Sequence, residues 1–390
     1  MAAFWNLLGR DDTSNRLLIL DDIFPHILSA FRIAEYNSYL ENFGDARVYS
    51  TATAFCLVNE TRSFKEVVKE YENNYPQCRG KVRKYTSRQD LRSGLVYTIF
   101  INNAFKFVDV AERYGSPFVF TLYPGGGFCV GEKESDGKLR RVLSSASFRK
   151  VIATQQITYD YLIDQRLCPP SQIEFIYGGV LPSPSLASNM LDKQRFQDNK
   201  GTFDICFVAN KQTQRGVDKG YDIFIEVAKL LSKACMKMVF HVVGPFDASD
   251  IDVIDIKDKI RFYGWKNTDF FPEFYANIDI ILSPNRHFVL AQGSFDGFPT
   301  GSCVEAGLCG VAVFCTDPLK QNIMFQEEEE IIIIPPIAQE ICDRIHYFYH
   351  RPEDLYRLSS QGQQAFRKVF DLSRQMQPRI DILSGLLKIK

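Results

Sequence analysis

The chain has few of the features that mark exported, membrane-spanning or metal-binding proteins. It contains no run of about 18 apolar residues, and residues 1–12 lack the basic and long apolar regions of an export signal. Its five histidines are dispersed, and its ten cysteines show no metal-ligand spacing. We therefore expect no export, membrane span or zinc site, and we expect buried thiols in a reducing cytoplasm. The formal net charge of -1 gives no reason to expect nucleic acid as a partner.

What the chain does contain is typical of two globular domains. At 390 residues it is longer than one hydrophobic core usually supports. Hydrophobic residues make up 45% and charged residues 24%, which is ordinary for a globular protein. Phenylalanine is abundant, with 32 residues, so peripheral association with a membrane stays open.

Apolar runs alternate with amphipathic stretches through the first half of the chain. The runs predict buried strands, and the amphipathic stretches predict helices between them. The predicted strands are 16–22, 48–51, 95–101, 118–122, 151–154 and 173–176, and the predicted helices are 28–40, 64–71, 105–114 and 157–162. This alternation favours parallel crossover units in an open sheet covered on both faces.

A polar segment separates this series from a second one. From 181 to 201 the composition shifts to Pro, Ser, Asn, Asp, Gln and Lys, which is typical of a domain linker. Strands are then predicted at 203–209, 238–243, 260–263, 278–282, in the apolar run before Asp317, and at 330–334, with helices at 221–232, 270–276, 352–369 and 373–389. The chain is therefore predicted to be an α/β protein of two doubly wound, Rossmann-like domains.

The stretch 295–317 has the pattern of an anion-binding helix start that leads into a buried strand. A turn rich in Gly and Pro precedes a short helix of small residues, whose first amides lie at about 302–305. These amides have no partner within the helix, and the helix dipole adds partial positive charge there. Asp296 and Glu305 could hold hydroxyl groups on either side of a bound phosphate. The alternative is a packed corner in which Glu305 only offsets the dipole.

Three other polar features have simpler interpretations. The glycine-rich loop 123–128 follows a predicted strand, where open parallel sheets place ligands, but local sequence favours a turn without contacts. Asp21 and Asp22 are interpreted as a solvated strand end rather than as catalytic carboxylates. Asp250 and Asp252 have metal-ligand spacing, yet their polar surroundings favour a loop without metal.

The order of small motifs in the second half resembles the retaining glycosyltransferases of family 4 type, which have the GT-B fold. The motifs are Phe207-Val208-Ala209, Asp218-Lys219-Gly220-Tyr221-Asp222, His241-Val242-Val243-Gly244, Phe262-Tyr263-Gly264-Trp265, Tyr275 to Pro284, and Asp296 to Asp317. Each motif is weak alone, but their joint order and spacing are fairly specific.

The resemblance implies two domains that face a central cleft. It implies an acceptor-binding domain over 1–181, a linker over 182–202, and a donor-binding domain over 203–372. It also implies that a C-terminal helix, 373–390, packs back on the first domain.

The same resemblance implies roles for the acidic pair and the helix start. Glu305 would hold the nucleotide ribose, since a carboxylate accepts hydrogen bonds from a vicinal diol, and Asp296 would contact the donor sugar. The backbone amides of Gly301, Ser302, Cys303 and Val304 would bind the diphosphate. Family members mostly have two glutamates with seven residues between them. Here the first is Asp and eight residues intervene, so the chain departs from the family pattern at Asp296.

Basic and aromatic residues complete the implied donor site. Lys219 matches the family's basic residue at the donor phosphates, and its alternative is an exposed surface lysine. The family's second phosphate-binding group, an Arg, has no clear counterpart, and Lys211 and Arg215 are the candidates. The Gly264-Trp265 turn would meet the base, although Trp265 could equally belong to the core.

The first half matches the family less well. Residues 31–35 lie on the first helix, where the family often approaches the donor or acceptor. The usual paired glycines after the first strand are replaced by Phe24-Pro25-His26, and no His follows Tyr123. The chain therefore departs from the family pattern at both of these positions.

The resemblance implies a hexosyl- or pentosyltransferase that moves a sugar from a nucleotide-sugar donor to a carbohydrate or glycoconjugate acceptor. It implies retention of anomeric configuration, with no metal and no cofactor beyond the donor. The rivals are a GT-B epimerase or hydrolase, which would consume the donor without an acceptor, and a catalytically silent nucleotide-sugar binding protein. Catalytic roles fall on Lys219, Asp296 and Glu305.

Overall fold

The computed structural model describes residues 13–27, 30–58, 60–182 and 192–388. The predicted linker therefore lies partly outside the described residues, as do the predicted start of the first helix and the two ends of the chain. Within the described ranges the chain forms two parallel β-sheets with packed cores on both of their faces. The prediction of two Rossmann-like α/β domains is confirmed.

The first sheet has seven parallel strands in the order β3-β2-β1-β4-β5-β6-β7. Its strands are β1 (Leu17–Asp21), β2 (Ala46–Ser50), β3 (Val82–Lys84), β4 (Leu95–Ile99), β5 (Phe118–Leu122), β6 (Phe148–Ala153) and β7 (Ile173–Phe175). Its helices are α1 (Ala30–Asn42), α2 (Phe64–Asn74), α3 (Ile101–Tyr114), α4 (Lys133–Leu143) and α5 (Gln156–Asp164). Every residue of β1, β4 and β5 is buried, as parallel strands covered on both faces require.

The second sheet has six parallel strands in the order β10-β9-β8-β11-β12-β13. Its strands are β8 (Phe203–Val208), β9 (Met238–Val243), β10 (Ile260–Phe262), β11 (Ile280–Ser283), β12 (Ala312–Cys315) and β13 (Ile332–Ile333). The helices that follow β8 in the chain are α6 (Tyr221–Ala234), α7 (Phe271–Ala276), α8 (Gly301–Leu308), α9 (Ala338–Tyr349), α10 (Pro352–Val369) and α11 (Leu372–Lys388).

The last helix, α11, returns to the first domain and packs against α1 and β4. Its Arg379 is fully buried, and one guanidinium nitrogen lies 3.5 Å from both the Tyr123 hydroxyl and the Gly178 carbonyl oxygen. The fold prediction expected this return of the C-terminal helix. Among the described residues, no helix is long and apolar enough to cross a membrane.

Two predictions about the ends of strands need correction. Asp21 is not solvated but fully buried, because its carboxylate accepts hydrogen bonds from the Arg32 guanidinium at 3.1 Å and the Tyr36 hydroxyl at 2.9 Å. The strand predicted at 330–334 is reduced to β13. Glu330 lies in a turn before β13, where its backbone amide donates to the Gln326 carbonyl oxygen.

Candidate functional site

The site lies where residues that follow the carboxyl ends of strands in both sheets come together. Three cavities meet there. The tryptophan cavity, of about 340 Å³, is lined by Trp265, Lys219 and the start of α8. The glutamate cavity, of about 440 Å³, is lined by Glu305 and by first-domain residues that include Thr154. The glycine cavity, of about 390 Å³, is lined by residues 124–129 together with Lys219. Asp296 lines all three.

The start of α8 presents backbone amides to this space. The first hydrogen bond of the helix joins the Val304 amide to the Thr300 carbonyl oxygen at 3.0 Å, so the amides before Val304 lie outside the helical ladder. Gly301 and Ser302 line both the tryptophan and the glutamate cavities, whereas the Cys303 side chain is buried in the core. The start of this eight-residue helix is therefore open to an anion from the cleft.

Lys219 is held by Asp296 at the junction of the cavities. The Lys219 ammonium lies 2.8 and 2.7 Å from the two carboxylate oxygens of Asp296, and the Asn285 side-chain amide donates to the same carboxylate at 2.7 Å. Lys219 is only 9% exposed, so the alternative of an exposed surface lysine is wrong. The pair places one positive and one negative charge at the same point of the cleft.

A glycine lets the Lys219 segment approach strand β11. Gly220 has a φ of 71°, and a Cβ atom at this position would lie 2.0 Å from the Pro284 carbonyl oxygen. No side chain fits there without moving the backbone. The Lys-Gly pair thus fixes the ammonium near Asp296 through backbone packing.

Unlike Asp296, Glu305 has no partner for its carboxylate among the described residues. Its half-buried carboxylate makes no hydrogen bond or ion pair with any other described residue, although it lines the glutamate cavity. Burial raises the pKa of Glu305 from its usual 4.5 to about 7. An unpaired carboxylate at a cavity wall is suited to accept hydrogen bonds from ligand hydroxyls.

The tryptophan cavity continues from the helix start to an exposed aromatic ring. Trp265 is 51% exposed and lines this cavity, so its alternative placement in the core is wrong. Gly264, in the same turn, has a φ of 64°, and its carbonyl oxygen accepts a hydrogen bond from the Gly244 amide at 3.0 Å. The turn therefore offers a flat apolar surface at one end of the cavity.

The two other predicted cations do not join Lys219. Lys211 forms an ion pair with Asp250 at 2.8 Å, and Arg215 is exposed. Neither side chain lines the three cavities, where Gln212 from the same loop is found instead. The Asp250 carboxylate is thus paired with a lysine. Among the described residues, no three His, Cys, Asp or Glu side chains lie together in a way that could hold a metal ion.

The first domain supplies the opposite wall through its glycine loop. Gly125, Gly126 and Gly127 all have positive φ, and a Cβ atom on Gly126 would lie 2.3 Å from the Phe100 ring. The loop is packed and lines the glycine cavity, so the interpretation as a turn without contacts is wrong. Its shape is set by close packing that only glycine allows.

Buried charges support this wall from behind. Glu35, fully buried on α1, accepts hydrogen bonds from the hydroxyls of Tyr39 at 3.2 Å, Tyr123 at 2.9 Å and Tyr97. The Arg379 guanidinium reaches the same Tyr123 hydroxyl. Of the helix residues 31–35, Glu35 therefore has a structural role, whereas Phe31 lines the glutamate cavity.

Gln155 joins the two domains directly, and sequence reasoning missed it. Its side-chain amide donates to the Phe298 carbonyl oxygen at 3.3 Å and accepts from the Phe298 amide at 3.1 Å. The Val130 amide donates to the Gly293 carbonyl oxygen at 2.9 Å, which is a second contact across the cleft. These contacts hold the glycine loop and the residues before α8 on facing walls.

Comparison with known proteins agrees with this arrangement. Residues 191–365 match the model of the family described as glycosyl transferases group 1. No curated protein sequence is significantly similar to the chain. Three solved structures superpose along almost the whole chain, at identities that show a shared fold.

HepE from Anabaena in complex with UDP-glucose has a TM-score of 0.68 and 16% identity, covering 95% of this chain and 99% of that chain. A glycosyltransferase from Rickettsia africae has a TM-score of 0.66 and 14% identity, covering 96% and 100%. Sucrose-phosphate synthase from Thermosynechococcus elongatus has a TM-score of 0.59 and 13% identity, covering 95% and 99%. The resemblance found in the sequence motifs is thus confirmed: residues 191–365, in the second half of the chain, match the group 1 glycosyl transferases, and the two domains have the GT-B fold.

Proposed function

We propose that the protein moves a hexosyl or pentosyl group from a nucleotide-sugar donor to a hydroxyl of a carbohydrate or glycoconjugate acceptor. One observation carries the proposal. The open start of α8, the buried cation Lys219 and the unpaired carboxylate Glu305 line cavities that share Asp296, Gly301 and Ser302. These groups match the charges and hydroxyls of a sugar nucleotide.

The donor would lie across the junction of the tryptophan and glutamate cavities. Its diphosphate would accept hydrogen bonds from the amides of Gly301 and Ser302, its base would lie against Trp265, and its ribose diol would donate to Glu305. The neighbour HepE was crystallised with UDP and with UDP-glucose, which makes UDP-glucose the first donor to test.

Lys219 would stabilise the leaving group. Negative charge builds on the nucleoside diphosphate as the glycosidic bond breaks, and a nearby ammonium lowers the free energy of that transition state. In the ligand-free site Asp296 holds the ammonium. A bound diphosphate would share this cation, which leaves an Asp296 oxygen able to accept a hydrogen bond from a sugar hydroxyl.

The reaction would retain anomeric configuration without a protein nucleophile. The acceptor hydroxyl would attack the anomeric carbon on the face from which the diphosphate departs, and a diphosphate oxygen would take the hydroxyl proton. With Lys219 and the helix amides present, charge stabilisation in this scheme needs no metal ion. The contact between Gln155 and Phe298 would keep the domains together and exclude water from the reacting carbon.

A product analysis tests the proposal. The purified protein is incubated with UDP-glucose and other nucleotide sugars, with a panel of sugar acceptors and with EDTA, and products are identified by NMR. We expect a new glycosidic bond of the donor's anomeric configuration and no requirement for metal. Free sugar or an epimerised donor as sole product would favour the GT-B hydrolase or epimerase. Donor binding with no consumption of any donor would favour a silent binding protein.

A further inference from the structure

The glutamate cavity has a second polar residue without a partner, on its first-domain wall. Thr154 follows β6 and is 0% exposed, and its hydroxyl oxygen Oγ1 has no hydrogen-bond partner among the residues that the structure describes. The backbone carbonyl oxygen of the same residue does have a partner, because it accepts a hydrogen bond from the Gly178 amide at 2.8 Å. The unpartnered hydroxyl thus belongs to a residue that lines the cavity.

A buried hydroxyl without a partner costs free energy in the ligand-free protein. Valine has nearly the same shape as threonine and would avoid that cost. A ligand in the cavity that formed a hydrogen bond with this hydroxyl would explain why the residue is threonine and not valine. Thr158 has the same kind of unpartnered, fully buried hydroxyl but lies on α5 and lines none of the three cavities.

The opposite wall carries Glu305, which also lacks a partner. One cavity thus has an unpartnered polar side chain from each domain, and both can bond to hydroxyl groups. Thr154 is fixed in place because the next residue, Gln155, is bonded to Phe298 of the second domain. The two walls cannot drift apart without breaking this contact.

We propose that Thr154 is a ligand-binding residue whose Oγ1 forms a hydrogen bond with a sugar hydroxyl in the glutamate cavity. The inference rests on the proposed function, since it takes the ligand to be a sugar nucleotide or its acceptor. Both supply the same chemistry, a ring with neighbouring hydroxyls. Oγ1 is closed to water in the ligand-free protein, so the ligand reaches it through a small movement of the wall beside it.

Two matched variants test the inference. Thr154→Val and Thr158→Val each replace a buried, unpartnered hydroxyl by a methyl group. We expect both variants to be at least as stable as the wild type by thermal unfolding without ligand, because each loses an unsatisfied group. Of the two variants, we expect only Thr154→Val to weaken ligand binding or raise KM, by five- to tenfold. Thr154→Ser keeps the hydroxyl, so its ligand affinity and KM should be close to those of the wild type.

Two measurements identify the source of the hydroxyl. UDP carries the ribose as its only sugar ring, so isothermal titration with UDP reports on a bond to that ring, and the KM of the acceptor that gives product reports on the acceptor sugar. A higher Kd for UDP assigns the bond to the ribose. A higher acceptor KM with an unchanged Kd for UDP assigns it to the acceptor.

Equal ligand affinities and KM values for wild type and Thr154→Val would overturn the inference while the proposed function stands. Equal losses in Thr158→Val would also overturn it, because the effect would then not depend on the cavity. A wild-type protein that binds no nucleoside diphosphate and consumes no nucleotide sugar would refute both the proposed function and this inference.

Discussion

Replacing Glu305 by Gln should stabilise the ligand-free protein and weaken nucleotide binding in the same variant. The carboxylate has no partner among the described residues, and burial raises the pKa of Glu305 to about 7. Glutamine keeps the shape but never carries the charge. It removes both the desolvated carboxylate and the acceptor that we assign to the ribose diol.

The size of the stability effect follows from the pKa shift. Because the folded chain holds this proton more tightly than the unfolded chain, the free energy of unfolding should fall as pH rises through the window from 4.5 to about 7. The full shift corresponds to about 3 kcal/mol at pH 8, and partial exposure of Glu305 reduces this to roughly 1–3 kcal/mol. Below pH 4.5 the carboxylate contributes no such loss.

The affinity for the nucleotide should change with pH in the opposite direction to stability, and rise as pH rises. If the ribose diol binds only the ionised carboxylate, affinity should fall about tenfold from pH 8 to pH 6 beyond the titration of the nucleotide itself. In Glu305→Gln this extra pH dependence should vanish. Urea unfolding and calorimetric titration with UDP at both pH values give the two quantities. A variant that is less stable than wild type at pH 8, or that binds UDP equally well, would refute the reasoning.

Three further predictions concern the cation, a close backbone contact and the domain interface. Lys219→Met should lower the turnover number at least a hundredfold, because the cation that stabilises the leaving group is lost. The control Lys211→Met removes a cation paired outside the cavities and should change the turnover number less than twofold. Equal turnover of the two variants would contradict the role of Lys219. Gly220→Ala should lower the free energy of unfolding by more than about 2 kcal/mol, while Gly137→Ala, at an open helical position, should raise it by about 0.5–1 kcal/mol, as measured by urea unfolding. Gln155→Leu should increase donor hydrolysis relative to transfer, because water then enters the cleft, and an unchanged ratio of free sugar to transfer product would argue against that.

The architecture was predictable because buried parallel strands are apolar on both faces. Central strands such as β5 and β9 have the predicted ends, since a single polar residue in each, Thr121 or His241, does not break its apolar run. The edge strand β3 was not predicted, because two of its three residues are exposed and its pattern is that of a loop. Helix α4 was missed because its face towards the core has only a few apolar residues.

Motif order was enough to group Lys219, Asp296 and the start of α8 in one candidate site, but it did not predict the contacts between them. Sequence places Lys219 and Asp296 in separate motifs, and only the fold brings the ammonium to the carboxylate. The burial of Asp21 depends on a guanidinium from the following helix, which no local pattern reveals. Thr154 and Gln155 carry no sequence signal of function, because the groups that they face, Glu305 across the cavity and the Phe298 backbone, belong to the other domain.

The domain boundaries and the roles of individual site residues stay predictions, and one measurement tests the nucleotide site most directly. Isothermal titration of the wild-type protein with UDP, GDP and ADP tests whether the cavities at the start of α8 form a nucleotide site. The account predicts binding of at least one of the three, which Glu305→Gln weakens and Lys211→Met leaves unchanged. No binding of any nucleoside diphosphate by the folded protein would contradict the central claim.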